Sequence, residues 1–474
     1  MKSYLKHYID GRWVASDGGT RHDVINPATE QPCTEITLGS AADVDKAVAA
    51  ARRAFDSFSR TSVEDRIALL EAILAEYRTR AADMAEAIAT EMGCPISMAR
   101  TAQVGSGIGH LTAAIAALRD FPFEEQIGAN KVVHEPIGVV ALITPWNWPL
   151  NQIVAKVAPA LAAGNAMILK PSEEAPGCAA IFAEVIDAAG VPAGVFNLVQ
   201  GDGPGVGTAL AAHPGIDMVS FTGSTRAGIM VAKNAADTVK RVHQELGGKS
   251  PNIILEGAPL DQAVPAGLMG VLLNSGQSCI APTRMLVHRS QAEEAAAIAK
   301  QVMAATGTGD PLTEGRHIGP VVNKAQWDKI QGLIRKGLEE GAKLETGGPG
   351  RPDGMETGYY VRPTLFSSVT NDMTIAREEI FGPVVTIIAY EDDEDAIRIA
   401  NDTDYGLSAV ISGDPARARA FVPRLRAGMV YVNAGNPDPN VPFGGYKQSG
   451  NGREYGKYGL AEFMEVKSVI GALG

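Results

Sequence analysis

The sequence predicts an α/β protein, with a doubly wound parallel sheet and a second α/β unit behind it, on three observations. Between residues 139 and 245, short β-branched runs alternate with Ala-rich stretches of helical length. Lys170, Gly203, Ser224 and Glu245, side chains or backbone suited to meeting a ligand, fall where the strands of that alternation end. After Gly247 the alternation begins again.

Ahead of the first strand, apolar residues recur at helical spacing as Val44, Val48, Ala51 and Phe55. They recur again as Ile67, Leu70, Leu74 and Tyr77 behind Ser62, whose hydroxyl suits an N-cap. Both stretches predict cover helices without chemistry of their own. A β-type run over 139–143 then leads to the turn Thr144-Pro-Trp-Asn-Trp-Pro149, an Ala-rich helix closed by Gly164, and a strand over 166–169 ending in Lys170-Pro171. The pattern continues with a helix to Gly190, a strand over 195–199, a helix opened by residues 201–207 and a strand over 216–221 that meets Thr222-Gly223-Ser224. A helix to about Ala236 and a last strand to Glu245 complete the unit. The second unit opens with a strand over 251–255, a helix through Leu273 and an extended segment over 274–284; a strand over 383–390 and a helix over 394–401 come later. Residues 347–358 are rich in Gly and Pro and predict a surface loop, and no fixed-period repeat is visible.

Length and composition narrow the function. At about 150 residues per domain, 474 residues predict roughly three units, too many for a small disulfide scaffold. Lys plus Arg number 42 against 54 Asp plus Glu, so a phosphate-bearing partner must be met by local geometry, and nucleic acid is not an expected partner. The four cysteines, Cys33, Cys94, Cys178 and Cys279, show no CxxC spacing, and the eight histidines are scattered, so neither a disulfide framework nor a catalytic metal is expected. Charged residues from Lys2 to Arg12 interrupt any signal-peptide core. The uncharged stretch 137–155 is broken by Pro145, Asn147, Pro149 and Asn151, polar or helix-breaking groups that lipid would not satisfy. A cytoplasmic protein with no membrane partner is expected.

Two familiar phosphate signatures fail. Gly201-Asp-Gly-Pro-Gly-Val-Gly207 would need glycine at Val206 or Thr208 to complete GxGxxG, and the leading glycine of a P-loop ending at Gly248-Lys249-Ser250 is His243. Cys279 stands out instead. It lies in Asn274-Ser-Gly-Gln-Ser-Cys-Ile-Ala-Pro282, where Gly276 and Pro282 punctuate a short loop that presents the thiol.

The motifs Pro145-Trp-Asn-Trp-Pro149, Lys170-Pro-Ser-Glu173, Phe221-Thr-Gly-Ser224, Glu245-Leu-Gly-Gly-Lys249, Gly276-Gln-Ser-Cys279, Glu379-Ile-Phe-Gly-Pro383 and Pro442-Phe-Gly-Gly-Tyr-Lys447 occur in one order along the chain. Together, and with 34 residues separating Glu245 from Cys279, they resemble the NAD(P)-dependent aldehyde dehydrogenase family over essentially the whole length. The resemblance implies an aldehyde-dehydrogenase-like fold. A Rossmann-type NAD-binding domain would take residues 1–119 and 138–246, a catalytic domain 247–461, and an oligomerisation element 120–137 and 462–474. Family members build dimers or tetramers by adding strands across subunits, so a homodimer or homotetramer is expected.

It also implies a chemistry that these residue types suit. A Cys279 thiolate adding to an aldehyde gives a thiohemiacetal able to lose hydride to nicotinamide. By resemblance, Asn147 and the backbone N–H of Cys279 stabilise the oxyanion, and Glu245 activates the water that hydrolyses the thioester. Relatives that pass the acyl group to coenzyme A generally lack this glutamate, so a hydrolytic enzyme is implied. For the cofactor, the resemblance places Lys170 and Glu173 on the adenosine ribose, Ser224 on the pyrophosphate at a helix N-terminus, and Glu379 with Phe381 on the nicotinamide ribose. Ile143, Thr144, Trp146, Ser172, Gly203, Gly207, Phe221, Gly223 and Leu246 complete the implied cofactor set. A carboxylate at Glu173 accepts a ribose 2′-OH and repels a 2′-phosphate, which favours NAD while leaving NADP tolerable beside Lys170.

The aldehyde tunnel, by resemblance, is lined near Trp148, Gln152, Ala155, Ser278, Ile280 and residues 433–442. The set has no Arg or Lys, which disfavours a dicarboxylic semialdehyde, and the small Ala155 favours a bulkier aldehyde over a quaternary-ammonium cage. Two rival readings fit less. A cysteine hydrolase or acyltransferase leaves Glu173, Ser224 and Phe381 without purpose, and a non-catalytic dinucleotide-binding relative would be expected to lack Cys279, Glu245 or Asn147.

Overall fold

The computed structural model describes residues 1–433 and 435–471. Ala434 of the expected tunnel loop, and residues 472–474 of the expected oligomerisation element, lie outside the described residues.

The first unit is an eight-stranded sheet whose centre is parallel. Val139–Ile143 pairs in parallel with Ala166–Lys170 on one side and Met218–Thr222 on the other; Phe196–Leu198 and Arg241–Glu245 extend the two wings. The strand order reverses between Val139–Ile143 and Met218–Thr222, the crevice where doubly wound sheets bind ligands. Val139–Ile143 and Ala166–Lys170 are apolar up to Lys170 because helices cover both faces, whereas Arg241–Glu245, next to the edge, carries Arg241, His243, Gln244 and Glu245. Both flanks are antiparallel: Lys6–Ile9 and Arg12–Ala15 form one edge, and Gly450–Asn451 pairs with Gln244 and Glu245 at the other. That last strand comes from a segment expected in the second unit.

The cover helices form where the periodicity places them. Ala41–Phe58 carries a capping box from Ser40 and Asp43, and Val63–Thr79 one from Ser62 and Asp65. Pro149–Ala163 is buried on all sides except near Asn151, starts on Pro149 and stops at Gly164. Lys156 is the one charged residue of that helix, and its side chain is fully buried.

The second unit is a seven-stranded sheet ordered Lys343–Thr346, Thr364–Ser367, Val384–Tyr390, Arg284–His288, Pro251–Ile254, Ser408–Ser412 and Met429–Val432. All neighbours are parallel except the Lys343–Thr346 edge. At its centre the buried guanidinium of Arg284 donates to the carbonyls of Lys249, Ile399 and Ala400. The segments 120–137 and 462–471 meet in a third sheet, where Asn130–Pro136 pairs antiparallel with both Glu124–Ile127 and Met464–Val469. Among the described residues no helix is long and apolar enough to cross a membrane.

Candidate active site

The Cys279 loop follows the helix Leu260–Leu272 and turns sharply. Asn274 and Ser275 both adopt left-handed backbone, φ 55 and 56, which side chains tolerate only when surroundings hold them there. Here hydrogen bonds do the holding. Asn274 Nδ2 donates to the carbonyl of Asn147 at 2.8 Å, Ser275 Oγ to the carbonyl of Gly319 at 2.8 Å, and the backbone N–H of Val322 to Gln277 Oε1 at 2.9 Å. Asn147 sits in the turn between Val139–Ile143 and Pro149–Ala163, and its Nδ2 donates to the carbonyl of Gln277, 2.9 Å away. Trp148 Nε1 reaches Ser278 Oγ at 2.8 Å. The Asn147 turn and the thiol loop are thus one hydrogen-bonded unit, although 130 residues separate the partners. Gly248 lets the two units close: a Cβ there would collide with the carbonyl oxygen of Cys279.

Cys279 is half-buried, whereas Cys94 and Cys178 are buried outright. Burial, then the carboxylates of Glu379 and Glu245, push its thiol well above the ordinary range. Glu245 ends the strand Arg241–Glu245, buried to 2 %, with no hydrogen-bond partner in the protein for either carboxylate oxygen. Burial, and then the neighbouring Glu454, hold its pKa far above the usual carboxylate value. Glu454 goes the other way. Burial alone would raise it, but Lys156, whose Nζ donates to Glu454 Oε1 at 2.6 Å, outweighs that and keeps it low.

The cofactor-type residues cluster along the carboxyl ends of the first sheet. Ile143 and Thr144 leave their strand together, the Thr144 N–H bonding the Lys170 carbonyl at 3.1 Å. Lys170 Nζ donates to the Pro171 carbonyl at 2.8 Å and to Glu173 Oε2 at 3.2 Å. Ser172 is taken up in that turn, accepting from the N–H of Glu174. Gly203–Gly207 is a wide helical turn capped by Asp202, with Gly203 exposed and Gly207 packed near Lys170. Phe221 lies beside Gly223, and Ser224 caps the helix Thr225–Ala235. Leu246 is fixed through its N–H to the carbonyl of Ser449, and Glu379 Oε1 accepts from the N–H of Gly248 at 2.8 Å. Phe381, at φ 61, meets Trp146 edge-on with ring centres 5.5 Å apart. These segments lie along the carboxyl edge of the first sheet, and Glu379 and Phe381 join them from the second unit through Gly248 and Trp146. Among the described residues no group of three or more His, Cys, Asp or Glu could hold a metal.

Sequence reasoning missed the charges behind Glu245. Lys156, Glu454, His243 and Ser220 form a connected buried group, Lys156 Nζ lying 3.0 Å from Ser220 Oγ, and Ser220 Oγ 3.1 Å from His243 Nδ1. Two signals were readable: a lone lysine in an otherwise apolar helix, and a histidine two residues before Glu245, hence on the same strand face.

The family model described as Aldehyde dehydrogenase family matches residues 13–469. Among curated proteins, the chain is 54% identical to 3-succinoylsemialdehyde-pyridine dehydrogenase from Pseudomonas sp, covering 100% of both chains. Among solved structures, it matches a mutant of aldehyde dehydrogenase C from Pseudomonas syringae, complexed with NAD+ and octanal, at TM-score 0.98 and 51% identity, covering 98% of this chain and 96% of that one. It matches betaine aldehyde dehydrogenase from Staphylococcus aureus, complexed with NAD+, at TM-score 0.95 and 34% identity, covering 98% and 94%. Sequence and backbone agree over essentially the whole length of the match, and the chain belongs to the aldehyde dehydrogenase family.

Proposed function

We propose that the protein oxidises an aldehyde to its carboxylic acid with NAD, through a thiohemiacetal on Cys279 and a thioester whose hydrolysis Glu245 assists. The observation that carries this reading is the joining of Asn147 to the thiol loop, with Glu245 close enough to Cys279 to oppose its ionisation.

The crevice fits a dinucleotide. The hydroxyls of Thr144 and Thr222, buried at strand ends, have no partner in the protein, and Lys170 Nζ has three N–H donors for two protein acceptors. Ser224 and the N-terminus of Thr225–Ala235 would meet the pyrophosphate, Lys170 and Glu173 the adenosine ribose, and Glu379 with Phe381 the nicotinamide ribose. A carboxylate at Glu173 supports NAD over NADP. The Pseudomonas syringae and Staphylococcus aureus relatives are both described in complex with NAD+.

Cys279, once its proton is lost, adds through sulfur to the carbonyl carbon. The Asn147 amide and the Cys279 N–H donate to the oxyanion that forms. When bound, NAD supplies the acceptor for the hydride that this adduct loses, leaving a thioester. Glu245 then takes a proton from water as the water oxygen attacks the acyl carbon; the carbon–sulfur bond breaks, the thiolate is regenerated and the acid leaves. A glutamate with a raised pKa is a stronger base than an ordinary carboxylate, which suits that proton transfer.

An uncharged, bulky or long-chain aldehyde is the proposed substrate class. The residues that the resemblance places on the tunnel, Trp148, Gln152, Ala155, Ser278 and Ile280, include no Arg or Lys, and Ala155 is small. Octanal occupies the Pseudomonas syringae relative. The protein is further read as a cytoplasmic homo-oligomer whose third sheet takes part in assembly. The test is absorbance at 340 nm during turnover of a panel of aldehydes with NAD and no coenzyme A. Octanal and aromatic aldehydes are expected to turn over; NAD binding with silence across the panel would remove the reading.

A further inference from the structure

We propose that His243 is a positioning residue for Glu245: a neutral imidazole whose Nε2–H holds the carboxylate in its inward orientation and favours its ionised form. The proposal rests on the reading of Glu245 as the hydrolytic base. His243 and Glu245 share one face of the strand Arg241–Glu245, and each is 2 % exposed. His243 Nε2 lies 3.8 Å from Glu245 Oε1, and neither it nor either carboxylate oxygen has a hydrogen-bond partner in the protein. Buried polar atoms left unpaired are costly, and here they face one another. A movement of about 1 Å brings the pair to hydrogen-bond distance.

The donor at Nε2 is set from behind. Ser220 Oγ accepts from the Lys156 ammonium at 3.0 Å, so the hydroxyl proton is free to point at His243 Nδ1, 3.1 Å away. With Nδ1 accepting, the single proton of a neutral imidazole resides on Nε2 and faces the carboxylate. The ring is neutral because burial, and next the Lys156 charge, push it down to about 3. Of the other ionisable neighbours, Glu454 is paired with Lys156, Glu462 accepts from the N–H of Arg453, whose guanidinium is turned to the carbonyls of Gly445 and Gly452, and Cys279 and Tyr455 are both held toward their neutral forms, by burial and by Glu245 among their neighbours. Gly452 lies against the ring, where any Cβ would displace it.

The test follows full-length enzyme with NAD and octanal from about pH 5 to 9, recording the NADH burst and the steady state separately. In the wild type the steady-state rate should rise along an acidic limb, and Glu245→Gln should abolish that limb. His243→Leu should move the limb up by about one pH unit, roughly a tenfold loss on the limb itself, while the burst amplitude and NAD binding hold. His243→Gln, whose amide N–H reaches the same place, should restore the wild-type midpoint. Ser220→Ala releases the tautomer and should move the limb in the same direction, so the inference stays testable if His243→Leu does not fold. A limb unmoved in His243→Leu but lost in Glu245→Gln overturns the positioning role alone; a limb that survives in Glu245→Gln overturns the base. Equal loss at every pH in both histidine variants reduces His243 to packing and also overturns the inference.

Discussion

Beyond burial, three carboxylates, Glu379, Glu245 and Glu454, oppose the ionisation of Cys279. Neutralising one should therefore make the thiol more reactive. In Glu379→Gln, the pH midpoint for alkylation of Cys279 by iodoacetamide is expected to fall, with labelling mapped by peptide mass; an unchanged midpoint would mean that burial alone controls the thiol. Asn147→Ala removes the proposed oxyanion donor and should lower kcat by about a hundredfold to a thousandfold. It also leaves the Gln277 carbonyl with only the longer bond from Asn274 Nδ2, at 3.3 Å, so crystal or NMR evidence that the loop is intact must accompany the kinetics. Glu245 affects stability too. A carboxylate whose folded pKa is raised contributes stability fully present below its unfolded value and lost as pH rises through the folded one. Glu245→Gln keeps the shape without the titration, so its Tm advantage over wild type should widen from mildly acidic to alkaline pH in scanning calorimetry. A pH-independent difference would contradict the raised pKa.

At the scale of elements, what local pattern can specify was readable. The alternation over residues 139–245 yields the five parallel strands in place because a buried strand needs an apolar run and a cover helix needs a 3.6-residue stripe. Ser62 is the predicted cap of Val63–Thr79, its Oγ accepting from the N–H of Asp65 at 3.0 Å. Ser62→Ala should cost about 1 kcal/mol, visible as a lower thermal midpoint, with kcat and KM unmoved. Altered kinetics would show that the helix is coupled to the site. The antiparallel edges were not readable. Two-residue Gly450–Asn451 carries no strand pattern of its own, and its place depends on a partner some two hundred residues earlier. The Lys156–Glu454 contact, 298 residues long, escapes for the same reason: each residue alone looks like a misplaced charge. Asn147, Cys279 and Glu245, the residues proposed for the chemistry, could be named from the sequence because each sits in a compact motif. Their support could not, because it is assembled from single residues of distant segments.

At the scale of the molecule, Met464–Val469 forms an edge of the third sheet, with Val466 64% exposed and Ile470 just beyond it 79% exposed. An open strand edge that exposes two large apolar side chains among Glu465, Lys467 and Ser468 is what a second copy of the chain would cover. Light scattering after gel filtration should give a multiple of 49.7 kDa, and Val466→Asp should shift the protein toward the monomer. A wild-type monomer would leave the edge without that partner. The strand Gly450–Asn451 has a different consequence, for biosynthesis. The ribosome releases Val139–Ile143 through Arg241–Glu245 long before it makes residues 450–454, so during translation the first sheet has an unfinished border at Glu245, and Lys156 waits without its carboxylate. The nascent chain therefore passes through a long interval in which a nearly complete sheet has one open border, and the surroundings of Glu245 are finished only when residues 450–454 arrive.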